Sequence, residues 1–228
     1  MASRKEKFIN GDYFHIYNKN IEPLATFSDA KIVNEFINSF IYYRSNQSII
    51  KFSEFKKLNN KIKQYRWREI MSPEDFRVDI LAFNIMPNHY HFLIKQLNDG
   101  GIVTFMSNLA NSITRFYNVK NKRLGPIFLP QFKSKRINSI EQLVYVSRYI
   151  HTNQYASGLI KNINDIFECP YSSIKEYIGD NKLLINTEVI LNYFNNDRSK
   201  FKEFITKNAD DQKQKKYLNH LHSTTPQG

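Results

Sequence analysis

The sequence predicts an α+β fold, a ferredoxin-like antiparallel sheet with helices packed on one face, followed by a C-terminal helical extension. Three observations lead there. Apolar residues alternate at strand spacing in some segments and recur at three-to-four spacing in others, in the order strand, helix, helical insertion, strand, strand, helix, strand, helix. Two strand-like segments in the middle are joined by a tight turn, which makes them antiparallel neighbours. And 228 residues with 41% hydrophobic and 14% aromatic side chains suffice for one well-buried core plus an appendage.

The first strand is DYFHIY, Asp12 to Tyr17, with Asn18-Lys19-Asn20 expected as the turn after it. A helix capped by Ser28 follows, because Ile32, Val33, Phe36, Ile37, Phe40 and Ile41 make one apolar stripe. Residues 52–75 read as one basic helix or two short ones ending near Pro73. Trp67, between Arg66 and Arg68, could stack on a base but reads better as the cover of a core edge. RVDILAFNI (77–85) and HYHFLIKQ (89–96) are the strands joined by a Met-Pro-Asn turn. The next helix, Gly101 to Val119, turns Ile102, Phe105, Met106, Leu109, Ile113, Phe116 and Tyr117 to one side, and PIFLPQFKSKRI is extended. Ser139 with Gln142 makes a capping box for a helix that stops near Gly158. Residues 162–179 are loop-rich, and LLINTEVILNYF and SKFKEFITKN are short helices. The end of the chain, with His220 and His222, lacks an apolar face and is expected to be a disordered tail.

Charge narrows the partner class. Thirty-three Lys and Arg against 21 Asp and Glu leave +12, a balance that attracts polyanions, nucleic acid first, through counterion release. From Gly101 to His151 there are eight basic residues and one acid, Glu141. Phosphate contact is the reading of that bias, carried by Arg115, Lys122, Arg123, Lys133, Lys135, Arg136 and Arg148, with interleaved aromatics able to stack on unpaired bases. His151 beside Arg148 could join them, although a solvated helix surface explains both. The single cysteine, Cys169, excludes a disulfide framework and a multi-cysteine zinc finger. No run of about 18 apolar residues is present, and MASRKEKFINGDY lacks the apolar segment of a signal peptide, so a cytoplasmic location is expected. Seven Gly, seven Pro and no repeated segment argue against collagen-like, propeller and solenoid designs.

Within MPNHYHFLIK, Met86 to Lys95, His89 and His91 share one strand face while Tyr90 and Phe92 share the other. Two readings stand: a pair of metal ligands, or the wet face of a half-buried strand. Tyr149 and Asn153 stand four apart on one helix face, and again two readings stand, a functional pair or a core tyrosine near a frayed helix end.

MPNHYHFLI, SNLANSITRFYN, LGPIFLPQFKSKRI and RYIHTNQYASGLI, in this order, resemble the single-tyrosine HUH transposases, and among them the REP-associated tyrosine transposases. The resemblance runs from about Tyr13, in YFHIYNKN, to Tyr177, in CPYSSIKEYIG. The family's usual forms are MPNHVH and YIHLNPVRAGL; here Tyr90 replaces the aliphatic residue and Gln154 replaces proline, and neither change removes a catalytic atom. The resemblance implies a single-stranded DNA endonuclease and strand transferase that acts at short hairpins through a 5′-phosphotyrosine link. It implies Tyr149 as nucleophile, His89 and His91 with Asn153 as ligands of Mg²⁺ or Mn²⁺, and action as a monomer or a homodimer. Tyr145 and Tyr155 are rival nucleophiles, but neither stands four residues before the asparagine. The expected organisation is a transposase domain over 1–165 with a helical insertion at about 45–75, a helical extension over 166–208 and the tail over 209–228. A domesticated protein that binds DNA hairpins without cutting them is the alternative. A His-based zinc hydrolase lacks an obvious third ligand.

Overall fold

Alternating side chains and matched registers build one four-stranded sheet, in the order β2-β3-β1-β4. Its strands are β1 (Tyr13–Lys19), β2 (Val78–Met86), β3 (His89–Gln96) and β4 (Lys133–Ile137). β1 pairs antiparallel with both β3 and β4. With α1 (Ala30–Tyr43) after β1 and α4 (Gly101–Lys120) after β3, this is the ferredoxin-like split βαβ arrangement. The computed structural model describes residues 7–179, 184–207 and 209–210. The expected tail, His220 and His222 included, lies outside the described residues apart from 209–210.

The chain divides into two compact units: residues up to Ile80 with Ile85–Ile137, and Leu81–Asn84 with the residues from Asn138 onward. In the first, α1 and α4 cover one sheet face. Phe92 meets Phe36, Phe40 and Phe105 with ring centroids 5.4–6.0 Å apart, and all four rings are fully buried. Truncating any one of them to alanine would cost about 3–5 kcal/mol. Gly101 lets α4 start hard against the strand side of this unit, since a Cβ there would sit 2.4 Å from the Arg77 carbonyl oxygen. The insertion contains α2 (Phe52–Phe55) and α3 (Asn60–Ile70) with a 3-10 turn at Pro73–Asp75. Trp67 packs on Phe55 at 5.7 Å, the covering role.

Three local expectations need correction. Asn18-Lys19-Asn20 is not a turn: β1 runs on to Lys19, and Asn20 bridges Phe128, because β3 and the segment after α4 supply ladder partners on both sides. The α1 cap is Asp29, whose side chain accepts from Lys31 N, since Thr26–Ser28 is spent in a 3-10 turn. Only Lys133–Ile137 of PIFLPQFKSKRI is a strand.

The second unit contains α5 (Ile140–His151), α6 (Asn153–Ala156), a 3-10 helix at Ile163–Glu168, α7 (Ile174–Ile178), α8 (Glu188–Tyr193) and α9 (Arg198–Thr206). Tyr177 stacks on Phe201 at 4.6 Å and donates its hydroxyl to Leu81 O at 2.7 Å. Ser173 acts as a short strand partner: its amide donates to Phe83 O at 3.0 Å, and its Oγ accepts from Phe83 N at 2.9 Å. Among the described residues no helix is long and apolar enough to cross a membrane.

Candidate active site

The sheet face opposite α1 and α4 carries the histidines. Cross-strand partners share a face, so the pairs Tyr17↔His91, Lys19↔His89, His15↔Lys135 and Tyr17↔Lys133 place three imidazoles, a phenol and three lysines together. The His89 and His91 ring centroids are 5.1 Å apart. Each ring has its Nδ1 engaged: His89 with Asn88 Oδ1 at 2.7 Å, His91 with His15 Nε2 at 2.9 Å. Such outer partners fix the tautomer and the ring plane, and Nε2 is then the nitrogen either ring offers a metal. Burial, reinforced by Lys135, pushes the His15 imidazole down to about 4, so a neutral His15 can accept the His91 Nδ1–H. Two imidazoles held this way fit a divalent ion. Among the described residues no group of three His, Cys, Asp or Glu is placed to hold a metal ion; the third ligand that the resemblance implies is an amide. Tyr90 points the other way, 1% exposed between Phe36 and Phe128, and burial pushes its phenol upward.

Tyr149 and Asn153 belong to the second unit. α5 begins as the capping box requires on one side, with Ser139 Oγ accepting from Gln142 N at 3.2 Å; the Gln142 side chain reaches back to Asn138 N at 2.7 Å. Leu143, Val144, Ser147, Ile150 and His151 are its buried stripe, Tyr149 is half-buried, and Tyr145 is exposed. The helix does not run unbroken to Gly158. At Thr152 the amide and the hydroxyl both donate to Arg148 O, at 2.9 and 2.8 Å, a back-bond that bends helices, and α6 starts with the buried Asn153. Tyr155 donates its hydroxyl to Asp210, which raises its pKa. His151 is not a surface residue. It is 1% exposed, its Nε2 lies 2.9 Å from Ser173 Oγ, and burial pushes its pKa down to about 3.

The family model for transposases of the IS200-like type matches residues 55–153. Residues 55–153, less than half of the chain, are thus similar to transposases of the IS200-like type. All four candidate residues, His89, His91, Tyr149 and Asn153, fall within the matched span, and Asn153 is its last residue. Seven chains of solved structures match. One is a REP-associated tyrosine transposase bound to a REP hairpin, 16% identical, with a TM-score of 0.49, covering 78% of this chain and 86% of that one. No curated protein matches the chain.

The expected basic residues of the first unit do not share one face. Strand alternation puts Lys133 and Lys135 on the histidine face, whereas Arg136 lies opposite Phe14 on the other face and pairs with Asp12 at 2.8 Å. Arg115 is exposed beside a cleft of about 490 Å³ shared with Lys51, Lys56 and Phe116. Lys122 and Arg123 follow the end of α4, where Arg123 donates to Asn118 Oδ1 and to Gly125 O at 3.2 Å each. Arg148, in the second unit, sits over the rings of Tyr145 and Phe204 and donates to Lys207 O at 3.3 Å. His15 and Lys19 joined the histidine face unannounced. Alternation along DYFHIY gives the parity of His15, whereas Lys19 lies in the segment expected as a turn, and only the register with β3 shows which residues they meet.

Proposed function

We propose that this protein is a transposase that cuts and rejoins single-stranded DNA at hairpins, with Tyr149 as the nucleophile. Residues 1–165 are the catalytic domain in this reading and 166–208 an extension. The observation that carries it is the histidine face: two imidazoles 5.1 Å apart, each with Nδ1 engaged by a second polar group, beside Lys19, Lys133 and Lys135. That combination suits a phosphodiester, whose non-bridging oxygens gain negative charge under attack. The hairpin preference rests on the resemblance of the four motifs.

Tyr149 Oη attacks phosphorus, the new phenolic oxygen–phosphorus bond forms, and the bond to the 3′ oxygen breaks. The 3′ oxygen leaves with a proton as a free hydroxyl, and the 5′ strand stays on the tyrosine. Return attack by a 3′-hydroxyl frees Tyr149 and joins the strands, so no ATP is needed. A free tyrosine ionises near pH ~10, so the site must help its proton leave. His89, His91 and Asn153 would hold Mg²⁺ or Mn²⁺, which supplies electrostatic stabilisation of the phosphate oxygens. His15 and Asn88 keep the two imidazoles oriented, and the lysines draw the backbone to this face.

The test is incubation of the protein with labelled single-stranded hairpin DNA and Mn²⁺, followed by denaturing electrophoresis. A covalent adduct in wild type that is absent in Tyr149→Phe supports the proposal. Hairpin binding with no adduct across a panel of hairpins points instead to a domesticated, non-cutting binding protein.

A further inference from the structure

The break between α5 and α6 is held by side chains to which the chemistry assigns no part. Asn84, in β2, is 0% exposed, and its two amide ends are both used. Nδ2 donates to Ile150 O at 2.6 Å, and Oδ1 accepts from Gln154 Nε2 at 2.9 Å. Gln154 Oε1 accepts in turn from the buried Cys169 Sγ at 3.1 Å, and Gln154 O receives Leu159 N at 3.0 Å. The two positions that Asn84 grips, Ile150 and Gln154, are the next residues after Tyr149 and Asn153. A buried amide with every polar atom engaged is costly to disturb, because each lost partner strands a desolvated group.

We propose that Asn84 is a positioning residue for the tyrosine chemistry: by tying Ile150 O to the Gln154 side chain it fixes the α5–α6 break, and so the placement of Tyr149 against Asn153. This rests on the function proposed above. Asn84 touches neither DNA nor the reacting atoms in this account; it acts through the backbone on either side of Thr152.

The test uses the full chain with Asn84→Leu, which removes both bonds of Asn84, with Gln154→Met, which removes the bond to Asn84 Oδ1 from a less buried site and leaves the one to Ile150 O, and with both. Amide hydrogen exchange of the segment 148–157, the hairpin Kd and the single-turnover rate of adduct formation with Mn²⁺ are measured together. Expected are faster exchange within 148–157 but not within 188–206, an unchanged Kd, and an adduct rate lower by roughly tenfold to a hundredfold. The double variant should fall little further than Asn84→Leu, since that change already removes the bond that Gln154→Met breaks. Unchanged exchange within 148–157, or faster exchange throughout the chain, overturns the clamp whether or not the protein cuts DNA. Loosened exchange with an unaltered adduct rate overturns its part in the chemistry. A wild type that makes no adduct overturns the proposed function, and with it the role of Asn84 there, even where exchange shows the clamp.

Discussion

His91 and Asn153 are both hidden from solvent, 5% and 1% exposed, yet the regions that hold them are built on different physics. The histidine face is a cross-strand ladder. The rings of His15, Tyr17 and His91 lie with centroids 5.1–5.6 Å apart, and every neighbour is fixed by a register that cannot slip by one residue without sending the whole set into the core. The α5–α6 break is instead a local departure from helix geometry, sustained by Thr152, Asn84 and Gln154 through a handful of hydrogen bonds. A ladder gives ligands that are set once the sheet forms. A helix break gives a position that a single amide can shift.

The strongest way to break the ladder is to remove its two proposed ligands. We expect His89→Ala with His91→Ala to abolish adduct formation and Mn²⁺ binding by calorimetry, while the fold, read by far-UV circular dichroism, persists. Adduct that survives this pair of changes would contradict the metal assignment.

The ladder and the break were unequally legible in the sequence. Strand parity alone put His89 and His91 on one face and sent Tyr90 to the other, because a two-residue repeat has no freedom once the strand is recognised. His15 escaped notice because its meeting with His91 depends on a register between residues 76 positions apart. The break escaped notice for another reason. RYIHTNQY carries no glycine or proline, and Thr152 bends the helix only through a hydroxyl that reaches back to Arg148 O, which most threonines in helices leave no trace of in their spacing. Asn84 reads as one polar residue in an apolar strand; its partners come from helices about seventy residues later. Charge was legible as a total but not as a map, since Arg136 turned out to face away from Lys133 and Lys135.

Smaller changes sharpen the comparison. His15→Ala removes the hydrogen-bond partner of His91 Nδ1 without touching a proposed ligand, and should weaken Mn²⁺ binding by roughly 10- to 100-fold; affinity equal to wild type would deny His15 an orienting role. Lys133→Gln and Lys135→Gln should each lower the salt dependence of hairpin binding, by about one unit in the slope of log K against log salt. Arg136→Gln, on the opposite face and paired with Asp12, should change that slope less, and equal slopes for all three would contradict the face assignment. The smallest effect belongs to Tyr90→Phe. Its hydroxyl is buried away from the histidines, so adduct formation should stay at the wild-type level and stability should change by no more than about 1 kcal/mol.

Mapping the covalent link tests the role of Tyr149 at its source. After reaction with a single-stranded hairpin and Mn²⁺, the adduct is digested with nuclease and protease, and the nucleotide-bearing peptide is sequenced by tandem mass spectrometry. A phosphonucleotide on Tyr149, within RYIHTNQY, is expected. A label on Tyr145, Tyr155 or Tyr90, or none on any tyrosine, would contradict it.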